Sequence, residues 1–314
     1  MSNIKIKVAQ NTDLRLDKYI VENTNLSRNK VKFLFDNGFI FLNNKKINKL
    51  SQSLKINDEI NITIQDNDKQ KEIDPISLVK PINLPLEIVY EDDEILIINK
   101  PSGLLVYPTK HNENDTLAHR LANYFINKNI FLDAINYRFG IVHRLDKDTS
   151  GLLIIAKNPN IFNTLKEMMK NNLIKRKYIA IVNNCFNPKD FLFKINVPIG
   201  RVYDNELRMR ANGTKDSKEA ITIVNVIKNI NNKFAIVECE LITGRTHQIR
   251  VHMQYINHPV YNDPIYGIDK KTTKYNQYLY CANISFYHPI SNDLINISLD
   301  YPKEFQDFIK NQGE

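Results

Sequence analysis

Gly140-Ile-Val-His-Arg-Leu-Asp-Lys-Asp-Thr-Ser-Gly-Leu-Leu-Ile-Ile-Ala-Lys157 divides into two halves of opposite character. Leu152 to Ala156 is a continuous apolar run and reads as a fully buried strand. The half before it carries His143, Arg144, Asp146, Lys147, Asp148, Thr149 and Ser150, and Gly151 closes it. A loop crowded with charge is thus fixed directly to a core strand, which is how a fold holds reactive groups on a rigid base. Within it, Asp146 and Asp148 are the two carboxylates.

Composition sets the bounds. The chain has 314 residues, 42% of them hydrophobic and 25% charged. That is ordinary for a soluble globular protein, and the length fits two domains. No apolar run reaches the length of a membrane span, and the first residues lack the apolar core of a signal peptide. Cys185, Cys239 and Cys281 lie far apart without a Cys-x-x-Cys pair, which predicts reduced thiols and a cytoplasmic location. The net charge of +8 and the isoelectric point near 9.1 fit a polyanionic partner.

Working outward, residues 1–12 read as a strand and lead-in. Two short helices follow, the first with Leu16, Tyr19 and Ile20 inward and the second over residues 28–36 with Val31, Leu34 and Phe35 inward. A strand pair turning at Asn43-Asn44 and a strand region over 54–64, with a turn at Asn57-Asp58, complete a small α/β unit. Residues 66–75 are polar and charged and predict a flexible linker, so the domains are expected at 1–75 and 76–314. Past the linker, the pattern predicts strands around 86–99, a helix over 115–123 and a helix over 160–171. A strand should run from 174 to 182, a strand pair turn at Asn231-Asn232, and a helix begin near Thr246. Residues 198–210 read as a basic loop.

The string His143-Arg-Leu-Asp-x-x-Thr-Ser-Gly151 followed by an apolar strand resembles the catalytic motif of the RluA family of pseudouridine synthases. Tyr90-Glu-Asp-Asp-x-x-Leu-x-x-x-Asn-Lys-Pro-x-Gly103 is similar to the opening of that family's catalytic domain. Lys175-Arg-Lys-Tyr-Ile-Ala180 resembles its second motif, and Thr243-Gly-Arg-x-His-Gln-Ile-Arg250 its third. His258-Pro-Val-x-x-Asp-Pro-x-Tyr-Gly267 fits its C-terminal pattern, and its details resemble the branch acting on large-subunit rRNA. Residues 13–65, with Arg28, Lys30 and Lys32 along one helix, resemble the S4 RNA-binding domain. Asn44 and Asn57 stand where that domain usually has Gly, and Asn also tolerates positive φ.

The resemblance implies an α+β fold: a mixed, largely antiparallel sheet flanked by helices, preceded by the small S4-like unit. It implies isomerisation of uridine to pseudouridine in RNA, with large-subunit rRNA as the partner, no cofactor, no metal and no membrane; the oligomeric state is not predicted, with a monomer as the default. Asp146 would be the catalytic acid side chain, Arg245 its partner, and Tyr178 the ring against the target base. Arg144 would fill the space of the expelled base, with Leu145 and Ile249 as apolar walls. Asp146 could add to C6 of the base, attack C1′ or assist loss of a sugar proton, and the sequence leaves the three open.

Other classes fit less well. A metal-dependent nuclease needs several converging carboxylates, and Asp146 with Asp148 beside Lys147 is a poor pair. His247 and His252 do not share a helix face for zinc. Ser150 with His143 lacks a Gly-x-Ser-x-Gly elbow. The runner-up is a non-catalytic RNA-binding or ribosome-assembly protein built on the S4-like unit. Asp146, Tyr178 and Arg245 argue against it.

Overall fold

The computed structural model describes residues 2–9, 12–24, 26, 28–64, 79–109, 113–130, 137–187, 189, 191–201, 208–212, 216–268 and 275–313. Two compact units result, Met1–Asp74 and Pro75–Glu314. The linker expected at 66–75 lies outside the described residues.

The first unit contains β1 (Ser2–Lys7), α1 (Leu16–Glu22), α2 (Arg28–Asp36), β2 (Ile40–Leu42), β3 (Lys45–Lys46) and β4 (Glu59–Ile64). The strands form an antiparallel sheet in the order β1-β4-β2-β3. Leu16 and Ile20 from α1 and Val31 and Leu34 from α2 pack on Ile40, Ile60 and Ile62. Asn43, Asn44 and Asn57 all have positive φ, so asparagine fills turns that glycine would otherwise fill. Asn43 also ties the two turns together, since its Nδ2 donates to Asp58 Oδ1 at 2.8 Å and its Oδ1 accepts from Glu59 N at 2.9 Å.

The second unit opens with β5 (Ile88–Glu91), β6 (Ile95–Lys100), α3 (Leu117–Asn127) and β7 (Ser150–Ala156). It continues through α4 (Pro159–Lys170), β8 (Lys175–Asn183), β9 (Leu192–Asn196), β10 (Ile199–Arg201), β11 (Met209–Ala211), β12 (Ile221–Ile230) and β13 (Phe234–Leu241). It closes with α5 (Gln248–Tyr255), β14 (Leu279–Tyr287), β15 (Leu294–Ser298) and α6 (Lys303–Asn311). Asn158 caps α4 by accepting from Ile161 N at 3.0 Å, with Pro159 at its first position. The expected basic loop at 198–210 is instead an antiparallel pair, β10 with β11, because Ile199 and Met209 bring apolar side chains to a small cluster around Tyr266 and Val251.

The large sheet runs β5-β6-β7-β14-β8-β13-β12-β9, with β15 also on β14. Every pairing is antiparallel except β14 with β7. β8 shows how helices cover both faces. Tyr178, Ala180 and Val182 join the main core with Ile249 and Met253 of α5. Ile179 and Ile181 point the other way, into a cluster with Phe305 and Phe308 of α6. This is the period-two alternation of a strand between two layers. β7 is buried along its whole length, and each of its Leu and Ile side chains contributes about 1.5–3 kcal/mol on burial.

Where β7 meets β14 the backbones touch closely. The parallel register is only Tyr280↔Ser150 and Cys281↔Gly151. Gly151 has φ 106°, and a Cβ there would lie 2.3 Å from Cys281 O. Beyond this contact the strands part, because β14 shifts register at Cys281/Asn283 and pairs with β15 from Asn283 on.

Candidate active site

The charged loop sits in the opening where β14 leaves β7. Its backbone is braced from the Asn99-Lys-Pro-Ser-Gly103 turn. Lys100, fully buried, donates its Nζ to the carbonyls of Pro101, Leu104 and Lys147 at 2.8–3.0 Å. Burial pushes this ammonium down to about 7, with the charges of Asp148 and Asp146 opposing the shift. Gly103 N donates to Lys147 O at 3.0 Å, and Ser102 Oγ donates to Asp148 O at 3.0 Å. From the other side His143 Nε2 accepts from Ile154 N at 3.1 Å. That amide sits on the edge of β7 that β14 has left, so the imidazole satisfies a buried donor that would otherwise be orphaned.

This frame holds Asp146 with about a quarter of its side chain exposed, and the cation bonded to it is Arg250. Arg250 Nη1 donates to Asp146 Oδ2 at 2.9 Å. The other edge of the same guanidinium closes a two-pronged pair with Asp263, Nε to Oδ2 at 2.6 Å and Nη2 to Oδ1 at 2.8 Å. Asp263 is fully buried and its Oδ1 also accepts from Ile265 N and Tyr266 N. Burial works against the Arg250 charge, but Asp263 and Asp146 outweigh it, so its pKa is raised. The Asp263 loop is itself tight, since a Cβ on Gly267 would lie 2.5 Å from Asp263 O.

The expected pairing of Arg245 with Asp146 is therefore corrected. Arg245 is exposed and donates its Nε to Glu219 O at 2.8 Å. The reason is where the helix starts. α5 begins at Gln248 rather than near Thr246, after His247 in the left-handed conformation at φ 57°. The Gln248 side chain folds back to accept from Arg245 N and Thr243 Oγ1, which stitches the turn shut with the Arg245 side chain outside. Arg250, on the first turn of α5, faces inward instead.

Tyr178 lies on the face of β8 covered by α5 and is buried. Burial raises its phenol pKa, Cys281 and Asp146 add to that, and Arg176 opposes it, so the ring carries an undissociated hydroxyl at neutral pH. Leu145 and Ile249 are buried in the same core, and Arg144 is exposed beside the loop.

Sequence reasoning weighed His247 only as a zinc ligand and missed its place beside Asp146. Its Nε2 lies 3.8 Å from Asp146 Oδ2 and its Nδ1 3.0 Å from Tyr266 Oη. Tyr266 Oη accepts from Met209 N at 2.8 Å. The arrangement that leaves no hydroxyl proton without an acceptor has Tyr266 donating to Nδ1, so that Nε2–H faces Asp146. Burial lowers the His247 pKa against the pull of Asp146, which keeps the ring neutral. His252 has a structural task. Its Nδ1 meets Thr222 Oγ1 and its Nε2 the carbonyl of Val197, both at 2.9 Å. For Arg250 and Asp263 the usable signal is general: a charge on the buried face of a helix needs a buried counter-charge, but which acid supplies it is set by tertiary packing.

In the first unit Lys32 is exposed on α2. The side chains of Arg28 and Lys30 lie outside the described residues. Also among the described residues, no group of three or more His, Cys, Asp or Glu is placed to hold a metal ion, and no helix is long and apolar enough to cross a membrane.

The family model described as RNA pseudouridylate synthase matches residues 94–255, from the strand before the Lys100 turn to the end of α5. The chain belongs to the RNA pseudouridylate synthase family. An uncharacterised RNA pseudouridine synthase of Mycoplasma genitalium is 40% identical to it over 95% of this chain and 92% of the relative. A ribosomal large subunit pseudouridine synthase D of Borreliella burgdorferi is 33% identical over 95% of this chain and 89% of the relative. The corresponding enzyme of Zymomonas mobilis is 36% identical over 72% of this chain and 73% of its own. The fold matches human RNA pseudouridylate synthase domain containing 4, with a TM-score of 0.58 at 19% identity over 72% of this chain and 93% of that one. The enzyme is thus an RNA pseudouridine synthase, an isomerase. It breaks the N1–C1′ bond of a uridine and forms C5–C1′ in its place. The C5 proton leaves and N1 gains one, so the base is retained and nothing is added.

Proposed function

We propose that Asp146 is the catalytic carboxylate of this isomerase and that its substrate is uridine in large-subunit rRNA. The observation that carries the first part is the Arg250 clamp. A carboxylate that is part exposed, on a braced loop, and held at one oxygen by a cation anchored to buried Asp263 keeps its other oxygen, Oδ1, for the substrate. Tyr178 would lie against the base once the uridine is turned out of its stack, and Arg144 would fill the space it leaves. His247 would orient the carboxylate through Nε2–H.

Support for the substrate comes from relatives named ribosomal large subunit pseudouridine synthase D that match most of the chain, and from the basic balance of charge. On this reading the first unit is an S4-like RNA-binding module carrying Arg28, Lys30 and Lys32, and the enzyme acts in the cytoplasm on ribosomal precursors.

The test is Asp146→Asn, assayed by release of tritium from C5 of labelled uridine in a large-subunit rRNA transcript at saturating enzyme. The shape is nearly preserved and the charge is gone, so release should cease while RNA binding stays within about twofold, the ±0.5 kcal/mol scatter of neutral changes. Turnover at a tenth of the wild-type rate would remove Asp146 from the chemistry. An active wild-type enzyme that leaves the transcript unmodified would refute the rRNA assignment.

A further inference from the structure

Arg176 is buried to 7% exposure on β8. By strand alternation it shares a face with Tyr178, Ala180 and Val182, the face covered by α5. Its Nε is sealed from solvent without an acceptor. Among the described residues no carboxylate or carbonyl accepts from its other nitrogens either. The neighbouring lysines of the strand are used differently, since Lys177 pairs with Glu238 at 2.9 Å and Lys175 is exposed. A guanidinium whose Nε is sealed from water and which has no counter-ion is costly, and a group of this kind calls for an explanation.

The geometry shows where an anion would enter. Nη1 and Nη2 reach the surface beside Gly244, each 3.6 Å from where a Cβ on that residue would stand. Gly244 therefore leaves the two-pronged end of the guanidinium uncovered, in the turn between β13 and α5. A buried stem with two outward N–H edges is suited to a tetrahedral oxyanion rather than to a single carbonyl. Arg176 lies close enough to Tyr178, Cys281 and His143 for its charge to act on each of them. The anion bound there is thus next to the ring on which the target base would rest.

We infer that Arg176, uncovered by Gly244, binds one backbone phosphate adjoining the target nucleotide and so fixes the register of the RNA strand in the cleft. This rests on the reading of the second unit as the site that receives a uridine of large-subunit rRNA. In RNA each nucleotide is flanked by phosphates, so a cation fixed beside Tyr178 meets one of them whatever the sequence, and positions the strand without reading a base.

The experiment uses the full chain and the rRNA fragment that the wild-type enzyme modifies, synthesised with a neutral methylphosphonate at one linkage at a time around the target uridine. For wild type, one linkage adjoining the target should weaken binding about tenfold, the size of one charge-assisted contact. Arg176→Met should show the same tenfold weakening on unmodified RNA and then be indifferent to the methylphosphonate at that linkage. Arg176→Lys should recover part of the affinity. Gly244→Val, which covers the fork and leaves Arg176 in place, should behave like Arg176→Met. The melting temperature of Arg176→Met should stay level or rise, because a buried unpaired charge has been removed.

Equal sensitivity of wild type and Arg176→Met to every linkage would overturn the inference. So would wild-type affinity in Arg176→Met, which would make Arg176 a packing residue, or a penalty that follows changes to the uracil oxygens instead. A wild-type enzyme that modifies no uridine in the rRNA would fail earlier, at the substrate itself, and the inference would fall with it.

Discussion

Arg250 touches Asp146 through Nη1 alone, at 2.9 Å, and commits its whole opposite edge to Asp263. Arg250 is thus anchored before it reaches the candidate carboxylate. Geometry of this kind limits how far Asp146 can turn, and a carboxylate aimed at a substrate gains rate from being placed in advance.

Arg250→Met should abolish isomerisation and also destabilise the fold. It strands Asp263, which is fully buried, and removing one partner of a buried pair costs about 3–5 kcal/mol. The double variant Arg250→Met/Asp263→Leu should regain much of the stability and none of the activity. Arg245→Met should keep its stability and its single-turnover rate at saturating enzyme. If Arg245 meets a phosphate, the slope of log affinity on log salt should flatten by roughly 0.7–0.9. Loss of the chemical step in Arg245→Met with retention in Arg250→Met would reverse the roles of the two arginines.

The sequence made the loop of Asp146 legible as a candidate site because the pattern changes there within a few residues, from crowded charge to the apolar run of β7. The helices expected over 115–123 and 160–171 stand at 117–127 and 159–170, and the asparagine turns at Asn43-Asn44 and Asn231-Asn232 followed from the tolerance of Asn for positive φ. The cation of the site was not legible in the same way. Arg245 and Arg250 lie in one motif, and which of them faces Asp146 depends on the residue where α5 starts. His247 in the left-handed region and the fold-back of Gln248 set that start, and neither is a propensity signal. The counter-charge Asp263 lies on a separate loop, so only tertiary packing joins it to Arg250. Lys100 posed the same difficulty: a lysine in a turn reads as solvated, and only the three carbonyls around it explain its burial.

Gly151→Ala should damage the site through the backbone alone. The added Cβ would meet Cys281 O at 2.3 Å and Cys281 N at 2.6 Å, and φ is 106°. Neither atom can yield without separating β7 from β14, so the expected loss is above about 3 kcal/mol, in the range of severe single substitutions. Urea unfolding followed by circular dichroism measures it. A soluble variant with a wild-type midpoint would show that the strands can part there at little cost. Gly103→Ala is the matched control, with positive φ as well but nothing within 4 Å of the new Cβ.

Removing residues 1–74 tests the proposed role of the first unit. The second unit has its own sheet and core and should remain folded. Affinity for the rRNA transcript should fall and its salt dependence flatten, by roughly 0.7–0.9 in the log–log slope for each phosphate that is no longer neutralised. Activity on a short fragment containing the target should persist at high enzyme concentration. An unchanged slope would mean that this unit does not touch the substrate.

His143 gives the loop a dependence on pH that can be separated from catalysis. Its side chain is part-buried, its Nε2 is occupied as an acceptor for Ile154 N, and its Nδ1 is sealed from solvent without a partner among the described residues. Burial pushes it down from 6.5 to about 3, with Arg176 and Lys166 adding to the shift. The unfolded chain takes up a proton as pH falls through about 6.5, and the native protein resists doing so until about 3. The contribution of the neutral ring is therefore fully present above about pH 6.5 and declines progressively as pH falls toward 3. The decline approaches about 1.4 kcal/mol per pH unit for one proton. His143→Gln offers an acceptor in a similar place and does not titrate. The stability of wild type relative to this variant should be constant from about pH 7 to 8 and decline below about 6.5, when both are unfolded by urea at a series of pH values. Parallel curves through about pH 4.5 would mean that the native protein admits the proton, and that His143 does not hold the loop to β7 as a neutral acceptor.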